Sequence, residues 1–377
     1  MNARNRAYFI VKNYSFKGEL YGIIIDGTPE AFFLAYSKTP LPLVPVAFFI
    51  QQPFVMAKIT RLFKSVYRLV LPLVVLLVLA VGASSVWLVH ETAHPLTSLY
   101  LVTPEKYGLL SARGAKVTDE NWTNRDSTRA RGWLLRGTPG APAVVLLHRY
   151  GADRSHVLDL GVKLNETTNY TILMPDQRGH GPDPLVKYSS FGGCESDDTS
   201  SAIAFLRSLQ TPEQAQQVGD NIGVYGLEMG AIAALAAAAD DPSIKGIALD
   251  SVPKDADTML AAAIDRRFPF ASGVTSKFAQ LGTRGYFYEG CYREQAAQDL
   301  ARNVADRHVL LLSGVDAPQF QESTLKLSKG FPSGTFVAAK NDLSPSGFGI
   351  LSASMDVAAA YDQRIIDFFR TALGNGV

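Results

Sequence analysis

The chain has 377 residues, with 36 Lys and Arg side chains against 35 Asp and Glu side chains, and a formal net charge of +1. This balance, together with the lack of any long basic run, argues against a nucleic-acid partner, because such partners are bound through clustered positive charge. Hydrophobic residues make up 47% and charged residues 19% of the chain, which excludes a disordered acidic or basic protein and predicts a folded one.

The first 55 residues predict little regular structure. Pro42 and Pro45 interrupt the apolar stretch 41–50, which Pro40 precedes, and the stretch is too short and too broken to span a bilayer. Met56 is followed by a basic segment and then by a long apolar run, the usual beginning of a signal-anchor. We therefore expect residues 1–55 to form a poorly ordered extension, which an upstream start of translation would explain.

A single transmembrane helix is predicted from Leu69 to Val89. These 21 residues carry no charge, and about 20 apolar residues span the hydrocarbon core of a bilayer. The preceding segment, 56–68, contains basic residues and no acid, so it should remain cytoplasmic. We therefore expect the lipid bilayer to hold the chain through this single pass, with residues 90–377 outside the cytoplasm.

Two other interpretations of the apolar segment stay open. A cleaved signal peptide could use the small residues Ala83, Ser84 and Ser85, although the segment is longer than the roughly 7–15 residues of a signal core. A buried helix of the globular domain is the second alternative. A core helix of this length normally carries a polar stripe, which is absent here.

Strand and helix patterns alternate after about residue 115. Residues 116–124 and 129–135 predict a leading antiparallel hairpin. Strands buried on both faces are predicted at 143–147, 171–174, 222–225, 244–249, 309–312 and 335–338. Helices are predicted at 198–209, 231–239 and 355–373. The alternation indicates an α/β domain with a mainly parallel sheet covered by helices on both faces, and 253–306 is expected to form a small, mostly helical cap.

The segment 226–230 (Gly-Leu-Glu-Met-Gly) is the most informative motif. A buried strand leads into it, and a helix of small residues follows at once. The two glycines allow close packing while the central residue occupies a tight, strained turn. The motif resembles the nucleophile elbow, G-x-S-x-G, of the α/β-hydrolase superfamily, with Glu228 in place of the serine.

Further segments resemble the same superfamily in the same chain order. Residues 144–155 are similar to the strand and oxyanion loop, with Arg149 replacing a glycine, and 175–181 (PDQRGHG) is similar to the D-x-R-G-H-G turn. The segment 193–197 resembles the start of the helix before the elbow. Residues 312–316 resemble the strand end that carries the catalytic acid. The resemblance covers about residues 100–377 and implies the α/β-hydrolase fold.

The resemblance also implies a triad of serine, acid and histidine in that chain order, of which this chain keeps only the acid, Asp316. None of the six histidines follows the last predicted strand. Lys340 is the best placement for the missing histidine, with Asn341 as the alternative. At the oxyanion loop the resemblance places Tyr150 and Met229, beside Arg149.

These replacements predict a catalytically degenerate site, a pseudoenzyme with a binding or scaffolding role. A serine hydrolase needs an oxygen nucleophile, a base near neutrality and donors for the oxyanion. We expect Glu228 instead to pair with Lys340 or Arg149, because a buried carboxylate without a cation would be strongly penalised. The cleft beneath the cap would then hold a small-molecule or lipid-like ligand.

An active hydrolase of an ester, amide or lipid-like substrate is the alternative. It would use a displaced nucleophile, or Glu228 itself as a carboxylate nucleophile, as haloalkane dehalogenases and epoxide hydrolases of this fold use aspartate. Those relatives still depend on the late histidine to activate water.

The remaining residues are expected to bind no cofactor and no metal, and no glycine-rich phosphate loop is present. His148 and His180 are expected to orient loops. The only two cysteines, Cys194 and Cys291, could form one disulfide, and the sequence does not determine the distance between them.

Overall fold

The computed structural model describes residues 10–15, 18–23, 53–96, 99–108, 114–269, 272–288 and 290–374. The chain divides into two compact units, 1–77 and 78–377. In the first unit, β1 (Ile10–Ser15) and β2 (Gly18–Ile23) pair as an antiparallel hairpin. The rest of the predicted extension before residue 53 lies outside the described residues.

A long helix, α1 (Pro53–Ala93), continues from the first unit into the second. Its part Lys64–Ala93 is long and apolar enough to cross a membrane. Within the second unit the character of this helix changes: Val78 and Leu79 are exposed, whereas Leu88 and Val89 are buried. The compact unit therefore begins well before residue 90, because the last turns of α1 pack into the core of the cap.

The second unit is built on an eight-stranded sheet. Its strands are β3 (Val117–Thr123), β4 (Arg129–Leu135), β5 (Ala141–Leu147), β6 (Thr171–Pro175), β7 (Val218–Leu227), β8 (Ile244–Asp250), β9 (His308–Gly314) and β10 (Phe336–Leu343). Their order is β10-β9-β8-β7-β5-β6-β4-β3. β3 and β4 form the predicted antiparallel hairpin. The six strands β5 to β10 pair with one another in parallel. The mainly parallel sheet is confirmed.

Helices cover both faces of the sheet, as predicted. The helices after α1 are α2 (Pro104–Gly108), α3 (Leu158–Thr168), α4 (Gly193–Ser208), α5 (Met229–Asp240), α6 (Ala256–Arg267), α7 (Ser272–Tyr286), α8 (Ala297–Ala301), α9 (Pro318–Leu327) and α10 (Met355–Leu373). One apolar layer joins the sheet to α4, α5 and α8, and the other joins it to α3 and α10. Both layers are mainly apolar, which explains why the strands read as continuous hydrophobic runs.

The cap insertion between β8 and β9, expected at 253–306, contains α6, α7 and α8, of which α8 packs against the sheet layer with α5. Its own apolar core combines Leu88 and Val89 of α1 with Met259, Leu260 and Ile264 of α6. A disulfide joins Cys194, at the start of α4, to Cys291, after α7, with a Cα–Cα distance of 5.0 Å. The cap is therefore covalently tied to the body of the domain.

Candidate functional site

Glu228 lies on the turn between β7 and α5, at the edge of the sheet where parallel strands end. Its backbone has φ 55° and ψ −109°, a conformation that non-glycine residues adopt only under strain and that marks the predicted elbow. A Cβ atom at Gly226 would lie 2.2 Å from the carbonyl oxygen of Gly230, and one at Gly230 would lie 2.7 Å from that of Leu147. Both glycines are therefore required for the close approach of β7, α5 and β5.

The Glu228 carboxylate is fully buried; Oε2 accepts a hydrogen bond, and Oε1 contacts a cation without a hydrogen bond of its own. The Tyr150 backbone N–H donates to Oε2 at 3.1 Å. A guanidinium nitrogen of Arg266, on the cap helix α6, lies 2.7 Å from Oε1 and forms an ion pair with it. The carboxylate thus joins the oxyanion loop, the elbow and the cap.

Burial raises the pKa of Glu228, while the positive charges of Arg266 and Arg149 and the Tyr150 N–H act in the opposite direction. Burial also lowers the pKa of the Arg149 guanidinium, which the Glu228 charge partly offsets. The site is therefore an electrostatic balance in which desolvation of the carboxylate opposes attraction by two guanidinium groups.

The cation paired with Glu228 differs from the expectation. We expected Lys340 or Arg149, and the structure places Arg266 there, with Arg149 adding attraction through its charge. The Arg149 guanidinium lies 4.9 Å from the centre of the Phe348 ring, and that of Arg266 lies 5.5 Å from the Tyr150 ring. Arg266 was missed because it belongs to the cap, whose position no sequence motif determines.

The oxyanion loop is already engaged by the protein itself. The resemblance implied that Tyr150 contributes to oxyanion binding, and here its N–H is bonded to Glu228. Its hydroxyl donates to the backbone carbonyl of Thr92, in the last turn of α1. Met229 begins α5 with a buried side chain, whose sulfur accepts the Ser189 hydroxyl at 3.2 Å. A carboxylate oxygen therefore accepts the N–H that the resemblance assigned to oxyanion binding.

Asp316 lies after β9, at the predicted acid position, and it binds the loop that follows β10. Its carboxylate accepts the backbone N–H and the hydroxyl of Ser346 at 2.9 and 3.0 Å and the N–H of Gly349 at 3.0 Å. Lys340 lies within β10 opposite Leu312 and is exposed. Because β10 continues to residue 343 instead of ending near 338, the loop begins later than expected, and the loop residue bonded to Asp316 through its hydroxyl is Ser346.

A family model described as the alpha/beta hydrolase family matches residues 144–366, more than half of the chain. The chain belongs to the α/β hydrolase family. A search of curated protein sequences gave no match.

Solved structures similar to this α/β hydrolase-family chain include enzymes. The Pyrococcus furiosus esterase Pf2001 is 20% identical, with a TM-score of 0.55 over 75% of this chain and 98% of the esterase. The 2,6-dihydroxy-pseudo-oxynicotine hydrolase is 17% identical, with a TM-score of 0.50 over 73% of this chain and 75% of that enzyme. At identities this low, the structural similarity shows a common fold and nothing more.

Two buried histidines brace the oxyanion loop of this α/β hydrolase-family chain. His148 accepts the backbone N–H of Gln177 at 3.1 Å through Nε2, and His180 accepts that of Gly151 at 2.9 Å. Each ring places Nδ1 2.8 Å from a backbone carbonyl, to which it donates. Burial lowers the pKa of both imidazoles, that of His148 to about 3. They are neutral structural groups, in line with the expectation that they orient loops.

We expect these histidines to make the domain acid-sensitive. Folding depresses the pKa of both rings. Below the unfolded histidine pKa of about 6.5, the unfolded chain therefore binds more protons than the folded chain. The free energy of unfolding then decreases as the pH is lowered, by up to about 1.4 kcal/mol per pH unit for each ring. Chemical unfolding measured at steps between pH 7.5 and 5 should show this loss. Replacing His180 with Gln should reduce the slope of stability against pH.

A second buried carboxyl near the site was missed by sequence reasoning. Asp250, at the end of β8, accepts the hydroxyl of Tyr361 at 2.6 Å and the N–H of Gly347 at 2.8 Å. The Ser251 hydroxyl donates to its other oxygen at 2.8 Å, and burial raises the pKa of Asp250. Asp250 thus anchors the loop that carries Ser346. A carboxylate directly after the apolar run 247–249 was the available signal.

Within the described residues, no group of three or more His, Cys, Asp or Glu side chains is placed to hold a metal ion.

Proposed function

We propose that this chain is a membrane-anchored member of the α/β hydrolase family with a catalytically degenerate elbow, and that it acts by binding a small-molecule or lipid-like ligand. One observation carries the proposal: the fully buried Glu228 carboxylate accepts the Tyr150 N–H and pairs with Arg266. The nucleophile position and a candidate oxyanion donor are thereby occupied by the protein itself. Glu228 is also negatively charged where a hydrolase would stabilise a developing negative charge.

The carboxylate-nucleophile alternative has less support. A nucleophile must reach the substrate, and a base must then activate water for the second step. Glu228 is buried beneath the Arg266 ion pair. Ser346, His148 and His180 do not supply such a base. The Ser346 hydroxyl, which contacts Asp316, does not accept a proton near neutral pH. Both ring nitrogens of His148 and of His180 are hydrogen-bonded to backbone groups.

Membrane anchoring is supported by the apolar part of α1 and its basic flank 56–68. The Cys194–Cys291 disulfide gives independent support for a domain outside the cytoplasm, since disulfides persist in oxidising compartments. We infer that the chain spans the bilayer once, with its N-terminal side cytoplasmic.

An activity screen of the full chain in detergent micelles tests the degenerate site. We expect no hydrolysis of short- or long-chain 4-nitrophenyl esters above background, and no labelling by a fluorophosphonate probe, because the elbow offers no hydroxyl. The Glu228→Ala variant should behave in the same way, as should a control, Glu322→Ala, at an exposed carboxylate of α9.

Two results would contradict this proposal. Hydrolysis that is lost in Glu228→Ala and kept in Glu322→Ala would identify Glu228 as a nucleophile. Probe labelling that maps to a serine in the cleft would identify a displaced nucleophile.

A further inference from the structure

The cap helix α7 packs along the last turns of α1, and the contacts advance along both helices together. A Cβ atom at Gly282 would lie 2.4 Å from the carbonyl oxygen of Ser85. One turn further along both helices, the ring centres of Tyr286 and His90 lie 5.7 Å apart. The two helices therefore run side by side in the same direction, and glycine at position 282 is needed for their close approach.

This packing sets the level of α7 along the apolar run of α1. Ser85 lies four residues before the end of that run at Val89, or about 6 Å at 1.5 Å per residue. The contact between α7 and α1 at Gly282 therefore lies within the apolar run. The turn between α6 and α7 meets α1 near the end of this run: the ring centre of Phe268 lies 6.4 Å from that of Trp87, and Arg267 pairs with Glu91 at 3.4 Å.

Two large apolar side chains are exposed on this part of α7. Phe278 is 42% and Leu281 69% exposed, and the neighbouring Lys277 is also exposed. Exposed apolar groups that continue an apolar helix surface differ from isolated surface hydrophobics and mark a site of interaction. A helix with apolar side chains and a lysine at its edge suits the boundary between lipid headgroups and acyl chains.

We propose that the α6–α7 hairpin of the cap lies in the headgroup layer of a phospholipid bilayer, with Phe278 and Leu281 inserted among the acyl chains. The inference rests on the membrane anchor of the proposed function. It also deepens that function, because Arg266, the cap residue that pairs with Glu228, lies two residues before Phe268 at this turn. A ligand that enters beneath this edge of the cap comes from the lipid phase, which selects for amphiphilic molecules.

The test uses the full chain in phosphatidylcholine vesicles, with an environment-sensitive NBD fluorophore attached at one introduced cysteine. Cys194 and Cys291 are disulfide-bonded and do not react with the probe. Three variants are compared: Phe278→Cys, Val78→Cys as the reference within the apolar run, and Met355→Cys as the control at the start of α10, where the native side chain is 88% exposed. Quenching by doxyl-labelled lipids reports contact with acyl chains, and quenching by iodide reports contact with water.

We expect probes at 278 and 78 to be quenched by doxyl lipids and protected from iodide, and the probe at 355 to behave in the opposite way. If the probe at 278 is quenched by iodide, as at 355, while the probe at 78 is quenched by doxyl lipids, the docking inference is overturned and the anchor is left intact. Iodide quenching at 78 would overturn the anchor and the inference together. Protection of 278 from both quenchers would show that protein, such as a second copy of the chain, covers α7, which would also overturn the inference. A Leu281→Cys variant should give the result of 278, which guards against local disruption at one site.

Discussion

Replacing Arg266 with alanine should lower the free energy of unfolding by about 2–3 kcal/mol, since it leaves the buried Glu228 carboxylate without its ion-pair partner. Removing one partner of a fully buried pair costs about 3–5 kcal/mol. We expect less here because the Arg266 side chain is 33% exposed and Arg149 still attracts the carboxylate. Chemical unfolding of the full chain in detergent micelles at pH 7.5 measures the effect.

The reverse change should behave differently. Glu228→Gln keeps an oxygen acceptor for the Tyr150 N–H and removes the charge whose desolvation is costly, so we expect a change of less than about 1 kcal/mol. The double variant Glu228→Gln/Arg266→Ala should be more stable than Arg266→Ala alone, which is the coupling a double-mutant cycle detects. Arg302→Ala, at an exposed cap ion pair, is the control and should cost less than about 0.5 kcal/mol.

The pH dependence adds a check on sign. Because burial raises the pKa of Glu228, the folded state holds this proton to higher pH than the unfolded state, and this group's contribution to stability decreases as pH rises through the folded pKa. Arg266→Ala should shift that decrease to higher pH, and Glu228→Gln should abolish it. Equal losses of stability from Arg266→Ala and Arg302→Ala would show that the buried ion pair is energetically unimportant.

The double variant Glu228→Ser/Ser346→His should gain ester hydrolysis about 10- to 100-fold above the parent chain. It supplies a hydroxyl at the strained elbow and an imidazole at the residue that contacts Asp316, while freeing the Tyr150 N–H from the carboxylate. Arg149 in the oxyanion loop and the partly exposed Arg266 should keep the rate well below that of an efficient esterase. Initial rates with 4-nitrophenyl acetate, with circular dichroism to verify folding, measure the gain.

The matched control moves the histidine to the position first chosen from sequence. Glu228→Ser/Lys340→His should remain inactive, because Lys340 lies within β10 opposite Leu312, whereas the Asp316 carboxylate is bonded to Ser346. Activity in this control and none with Ser346→His would restore Lys340 as the histidine position. Adding Asp316→Asn to the active variant should remove most of the gain.

The sheet and the elbow were predictable because they depend on local signals. Strands such as β5 and β7 are continuous apolar runs with both faces buried, and the glycines around Glu228 are required by close backbone contacts. Each signal lies within a few residues and points to the same fold, which is why their order along the chain was informative.

The position of the late loop was not predictable in the same way. β10 continues past Lys340 through a register shift to Leu343, although the polar residues there are typical of a loop. Pairing with β9 outweighs the weak strand propensity of this segment, a common effect of tertiary context. The ion-pair partner of Glu228 could not be predicted from the sequence for a related reason, since Arg266 lies beside the elbow only because the cap packs there.

In the membrane-anchored chain that we propose, the burial of the last turns of α1 in the cap affects proteolytic release of the domain. Many anchored domains are released by cleavage in a loose juxtamembrane linker, but here the helix carries Leu88, Val89 and Ala93 directly into the cap core. Thr92 also accepts the Tyr150 hydroxyl beside the elbow. A fragment beginning near residue 94 would lack these groups and leave Met259, Leu260 and Ile264 without part of their packing. Cleavage between the apolar helix and the rest of the domain would therefore destabilise the released fragment.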